Sequence, residues 1–215
     1  MSRAIASAAV IAAVLLSSSN SFGRAVTYKL TGVTDGLIAI TPSNIIRFDE
    51  PFVVEATGDT AGVQPVPSPP LPAGAVFNGS LAMLFGATPK GTVDMSITIK
   101  EMGTFDAVDL PYVYGWPGVG AGFGDFPHGD FLSFSSATLP SYDLVTNLTP
   151  SPVTATFEAG LDTDRGQILF DDPSQLLFSV SFVPEPESWG LMIVGLAGIG
   201  LATRLRRSAS HPARG

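Results

Sequence analysis

The sequence has no cysteine, two histidines and three lysines among its 215 residues. Without cysteine there are no disulfide staples, no thiolate metal sites and no thiol nucleophile, so the folded part must be held by its core. Between Val26 and Val183 His128 is the sole imidazole, too few for a zinc site of the usual His-rich kind, and no Gly-x-Ser-x-Gly elbow accompanies it. The lysines lie outside any Walker-type loop. Gly118 and Gly120 would need a glycine at position 123 to make a dinucleotide fingerprint, and Phe123 stands there. Positive charge is scarce too. From Val26 to Val183 five basic residues face seventeen acidic ones, a net of minus twelve, which repels phosphate backbones and anionic headgroups. Nucleic acid is therefore not an expected partner.

The two ends differ from this acidic middle. Arg3, the uncharged apolar run Ala4 to Leu16 and the small polar stretch Ser17 to Ala25 have the layout of a secretory signal peptide over residues 1–25, with removal expected after Ala25 or after Gly23. The run is shorter than the roughly 20 apolar residues of a spanning helix.

At the other end, Val183-Pro184-Glu185-Pro186-Glu187-Ser188-Trp189 begins as an extended peptide, because each proline lacks a donor and restricts its predecessor. Ser188 suits a helix N-cap, and no charge appears from Trp189 to Thr203, so a single membrane helix is expected over about 188–205. Trp189 marks one interface and Arg204, Arg206 and Arg207 the other, placing the C-terminus in the cytoplasm. At about 1.5 Å per residue the span covers about 22 Å, short of the roughly 30 Å hydrocarbon core. The arginines must snorkel or the bilayer must thin, which fits a temporary anchor. A polar basic tail, 208–215, follows.

Pro-Glu-Pro, a tryptophan a few residues on, a Gly-rich apolar span and an arginine cluster, in that order, resemble the PEP-CTERM sorting domain in its Trp-containing proteobacterial form. The resemblance covers residues 184–207. It implies that Pro184, Glu185 and Pro186 are recognised by a membrane-embedded exosortase, with Trp189, Arg204, Arg206 and Arg207 positioning them. It further implies processing near Pro184 to Pro186, delivery to the cell surface or extracellular matrix, and an association with exopolysaccharide and biofilm.

Residues 26–183 read as short strands punctuated by turns, with no 3.6-residue period sustained over three turns. The candidates are Val26 to Thr31, Gly36 to Ile40, Phe52 to Thr57, Leu81 to Phe85, Thr92 to Lys100, Phe131 to Ser135, Tyr142 to Val145, Val153 to Phe157, Gln167 to Phe170 and Leu176 to Val183. Val93, Met95, Ile97 and Ile99 show the alternation best. The expected fold is all-β, an antiparallel sandwich or a jelly-roll-like domain. Gln64 to Gly74, with five prolines, is expected as a stiff surface loop that cannot join a central strand. Tyr112 to Asp130 interleaves glycines with aromatics and is expected as a long loop, either open to stack on sugar rings or folded back over its own aromatics.

Asp162-x-Asp164-x-Gly166 begins like a calcium loop, but position twelve is Pro173; Asp171 and Asp172 could complete a looser site. The simpler expectation is an Asp-rich hairpin turn and no cofactor. Asn78-Gly79-Ser80 and Asn147-Leu148-Thr149 match the glycosylation pattern by coincidence. The stretches Val26 to Gly32, Tyr142 to Leu144, Gly166 to Phe170 and the final strand are similar to a recurring ectodomain of PEP-CTERM proteins, which implies no ligand. The expectation is a non-enzymatic exported surface or matrix protein. The alternatives are a carbohydrate-binding or calcium-dependent adhesive module, and an exported hydrolase with an unrecognised site, for which His128 is the best candidate base.

Overall fold

A computed structural model describes residues 23–65, 75–79, 91–116, 120–126, 129–136, 139 and 143–182. These form β-strands and one 3-10 turn, with no α-helix among the described residues. The expected signal helix and the helix over 188–205 lie outside the described residues, as do Leu81 to Phe85 and His128. No helix among the described residues is long and apolar enough to cross a membrane.

Alternation of apolar and polar residues builds two antiparallel sheets. The first orders β10 (Leu148–Pro152), β13 (Gly166–Phe182), β1 (Ala25–Thr41), β2 (Asn44–Asp59), β5 (Asp94–Ile99) and β6 (Gly103–Asp106), with β12 (Leu161–Thr163) also on β13. The second orders β11 (Thr154–Phe157), β9 (Gly129–Ser135), β8 (Gly120–Phe126), β7 (Leu110–Trp116), β4 (Val76–Gly79) and β3 (Gln64–Pro65). The sheets face each other across one core. The first contributes Val26, Tyr28, Leu30, Phe52, Val54, Met95, Ile97, Ile99 and Phe178, and the second Val113, Ala121, Phe123, Leu132 and Phe134. Burying a side chain of this size contributes about 1.5–3 kcal/mol. This is the expected sandwich, built from hairpins and the β7–β8–β9 meander.

Aromatic rings join the layers. Phe170 of β13 lies 4.7 Å from both Phe52 of β2 and Phe157 of β11, and Phe131 of β9 packs 5.6 Å from Phe170. Further along, Phe134 meets Phe178 at 4.4 Å. A polar stitch accompanies them: the buried Tyr28 hydroxyl donates to the Leu144 carbonyl (3.0 Å) and accepts from Asn78 Nδ2 of β4 (3.2 Å). Asn78 is thus an inward-facing core residue, with its side chain engaged inside the sandwich.

Several local expectations change. Val26 to Thr31 and Gly36 to Ile40 are two halves of β1, and Gln167 to Phe170 and Leu176 to Val183 two halves of β13, which ends at Phe182. The two strands pair throughout, with register shifts between Thr31 and Asp35. Opposite these shifts Asp172 and Gln175 take positive φ (43° and 54°), and Thr34 Oγ1 donates to the Asp171 carbonyl at 2.6 Å. Asp-Asp-Pro marks a kink within a strand there, not its end. Tyr142 to Val145 is no strand over its described residues: Leu144 adopts φ 59°, and Asp143 Oδ1 accepts from the Val145 N–H at 3.0 Å, which holds a turn. The stretch expected as a long loop, Tyr112 to Asp130, lies mostly in β7, β8 and the start of β9. Gln64 and Pro65 form an edge strand, consistent with their proline-rich context.

Candidate sorting site and the pole that carries it

The expected sorting residues Pro184, Glu185, Pro186, Trp189, Arg204, Arg206 and Arg207 lie outside the described residues. The structure does describe the place from which that segment departs. Phe182 ends β13 and pairs with Val26 at the start of β1, and Ala25 pairs with Asp59 at the end of β2. The Arg24 guanidinium sits over the Phe182 ring, 4.9 Å from its centroid, a cation–π contact worth about 0.5–1 kcal/mol at an exposed site. The Arg24 N–H donates to Thr60 Oγ1 at 2.7 Å, and the Thr60 N–H donates to the Arg24 carbonyl at 2.9 Å. Asp59 caps that 3-10 turn, its Oδ1 accepting from the Ala61 N–H at 2.7 Å. The chain therefore enters and leaves the sandwich side by side at one pole. Sequence reading left Arg24 between the two expected removal points, after Gly23 and after Ala25, because its partners Thr60 and Phe182 lie far along the chain.

Asp162 and Asp164 sit at the β12–β13 hairpin. Asp162 Oδ1 accepts from Gln167 Nε2 at 2.9 Å, and Asp164 Oδ1 accepts from the Asp106 N–H at 3.1 Å. Arg165, between them and Gly166 (φ 121°), lies over the Phe105 ring at 3.8 Å and donates to the Thr104 carbonyl. Asp171 is four residues beyond Gln167 along β13, about 13 Å away, and pairs with Asp35. The four carboxylates are thus divided between the β12–β13 turn and the middle of β13, and no group of three or more metal-capable side chains occurs among the described residues.

The interleaved glycines and aromatics serve packing. Tyr112 pairs with Gly124 and Tyr114 with Gly122, and the phenol rings lie across these glycines so closely that a Cβ at either would overlap the ring. Tyr112 donates to Asp130 Oδ1 at 2.8 Å; Tyr114 and Ser133 hydroxyls meet at 2.6 Å, and Ser133 donates to Glu158 Oε1 at 2.8 Å. Both tyrosines are buried, and burial raises their phenol pKa values. Burial likewise raises the Asp130 carboxyl, with the Tyr112 hydroxyl opposing. Glu55, Asp94, Asp106 and Asp109, with Leu110 and Pro111 of β7, line an open groove of about 540 Å³ that sequence reading did not find, because its members come from three separate segments. Glu55 there is 3.5 Å from Lys29.

Comparison with known families assigns the C-terminal segment. Residues 182–207 match the PEP-CTERM protein-sorting motif. The chain therefore carries the C-terminal signal of an exported protein that exosortase, a membrane enzyme, recognises and directs to the cell envelope or surface. No curated protein and no solved structure matches the chain.

Proposed function

We propose that this chain is a non-enzymatic surface or matrix protein, held transiently by its C-terminal segment, processed by exosortase near Pro184 to Pro186, and active in the exopolysaccharide surroundings of the cell. The supporting observation is the junction: the sorting motif begins at Phe182, the last residue of β13, so a cut two to four residues further on leaves the sandwich whole. An N-terminal signal peptide belongs to the same proposal. Arg24 is engaged by Thr60 and Phe182, which favours removal after Gly23 over removal after Ala25. The reading as a sugar-stacking module is weakened because Tyr112 and Tyr114 have no exposed ring faces. The mass of the mature protein from cells tests the proposal: an end between Pro184 and Glu187 supports it, and an intact arginine-rich tail refutes the processing step.

A further inference from the structure

The β1–β2 hairpin runs past the end of β5 on its β2 side, while β13 stays paired along β1 to Ala39. β5 covers the outer edge of β2 only from Phe52 to Thr57, and among the described residues no strand pairs with that edge from Asn44 to Glu50. The Lys100 N–H donates to the Pro51 carbonyl at 3.0 Å, so the Pro51 carbonyl points away from β1. The β1–β2 register is unbroken from Ile45 to Asp59, so by alternation the N–H and C=O groups of Asp49, Arg47 and Ile45 also point outward, to an open edge. Three isoleucines flank it in solvent: Ile45 is 53% exposed, Ile40 45% and Ile46 39%. An open edge beside exposed β-branched residues is a template for another strand.

We propose that this edge pairs with the same edge of a second copy of the chain, antiparallel and two-fold symmetric about Ile46. Charge admits a second copy's arm here and keeps the rest of the two bodies apart. Two bodies this acidic repel each other over most of their surface, while Leu37 to Ile46 at the arm tip carries no charged residue. Sterics and charge also select the register. A two-fold through Phe48 would drive the second copy's Asn44 into the place where Ile99 pairs with Phe52. A two-fold through Arg47 would set arginine opposite arginine, which is destabilising. A two-fold through Ile45 leaves only three residues paired. Centring on Ile46 pairs Asn44 to Phe48, sets Ile46 against its own copy, and lays each Ile45 beside the aliphatic stem of Arg47 of the second copy. Ile40 and Ile46 lie on the core-side face of the arm, in line with Ile38 and Phe48, and pairing joins them across the axis.

The bodies then extend in opposite directions from the overlapped tips. From Ile46 to Asp59 each arm and body spans at most about 43 Å, so the poles that carry the sorting segments stand at opposite ends, at most about 85 Å apart. Such a dimer suits released protein or two facing surfaces, not neighbours in one membrane.

The absence of cysteine makes cross-linking the direct test. In an antiparallel sheet a non-hydrogen-bonded pair has Cα atoms about 4.5 Å apart and a hydrogen-bonded pair about 5.5 Å, both within disulfide reach. The full chain, purified in mild detergent so that orientation is free, would carry Ile46→Cys, or Thr149→Cys on exposed β10 as a collision control. Ile46→Cys is expected to give about tenfold more disulfide-linked dimer than the control, the gain of thiols held together over thiols that meet by diffusion. Differently tagged Ile45→Cys and Arg47→Cys chains, both altered at exposed positions, are expected to link to each other in preference to themselves. Ile46→Cys dimer at the control level, with Ile45→Cys and Arg47→Cys showing no mutual preference, would overturn the proposal. If Ile46→Cys fails to fold, the Ile45→Cys and Arg47→Cys pair decides alone.

Discussion

Replacing Tyr28 by phenylalanine removes one oxygen from the interior and tests whether the polar stitch between the sheets matters. The hydroxyl is fully buried and makes two hydrogen bonds, donating to the Leu144 carbonyl and accepting from Asn78 Nδ2. Asn78 keeps a second acceptor, the Asp59 carbonyl at 3.1 Å, whereas the Leu144 carbonyl loses this donor. Two neutral bonds at about 1 kcal/mol each, with an added penalty for a stranded carbonyl, predict a loss of about 2–3 kcal/mol. In a domain of this size that lowers Tm by roughly 4–12 °C. Urea unfolding followed by intrinsic fluorescence measures it. Tyr114→Phe is the control, since Ser133 retains Glu158 as an acceptor, and its cost should be about 1 kcal/mol. Burial pushes the Tyr28 phenol up from 10.0 to about 12. Below pH 10 both folded and unfolded phenols hold their proton; between pH 10 and about 12 only the unfolded one releases it, so stability falls as pH rises. Tyr28→Phe should therefore flatten part of the alkaline decline. A loss under about 0.5 kcal/mol with an unchanged alkaline slope would refute the stitch.

Gly122→Ala and Gly124→Ala should each cost about 1–3 kcal/mol, since the added methyl meets a tyrosine ring and the backbone of β9, and thermal melts would show it. Asp130→Asn should change the acid side of the stability profile. Because burial raises the Asp130 carboxyl, the wild type loses stability as pH rises through the folded value, above the ordinary 3.8, and the asparagine variant should lack that decline in urea titrations from pH 3 to 7. N-terminal sequencing of the exported protein should read Arg24 first; a start at Val26 would show that the contacts of Arg24 with Thr60 and Phe182 are dispensable.

The features legible in the sequence are those carried by short-range pattern. Val93, Met95, Ile97 and Ile99 alternate, and all four are buried, the last three in β5. The Pro-Glu-Pro, tryptophan and arginine order is likewise contiguous, so the sorting motif could be read directly. Tyr112 to Asp130 was misread because glycine counts as a turn signal when neighbours across the sheet are unknown. Gly122 and Gly124 are strand residues because a tyrosine from β7 fills the space above each. Asp171-Asp172-Pro173 was misread for a similar reason: a kink matched by a shift in β1 holds together a strand that local chemistry would end. The acidic groove draws Glu55, Asp94, Asp106 and Asp109 from segments more than 50 residues apart at the extremes, and no local window contains it.

The pairing of β1 with β13 also orders events during export. β1 is the first strand of the sandwich and β13 the last, and β13 sits between β1 and β10 in the interior of the first sheet. Leu30 with Phe178 and Tyr28 with Val180 are neighbours in that pairing and are buried in the common core. The sheet cannot close until the chain is out through Phe182, so this contact of very long sequence separation comes late and slowly. A cut ahead of Phe178 would remove a core ring and the partner of β1. A cut beyond Phe182 removes neither. The sorting motif begins at the last residue of β13, so a chain held and then processed as proposed would be released already folded. The exposed Asn44 to Glu50 edge lies at the far end from that pole, and it stays available for a second copy whichever way the sorting segment is processed.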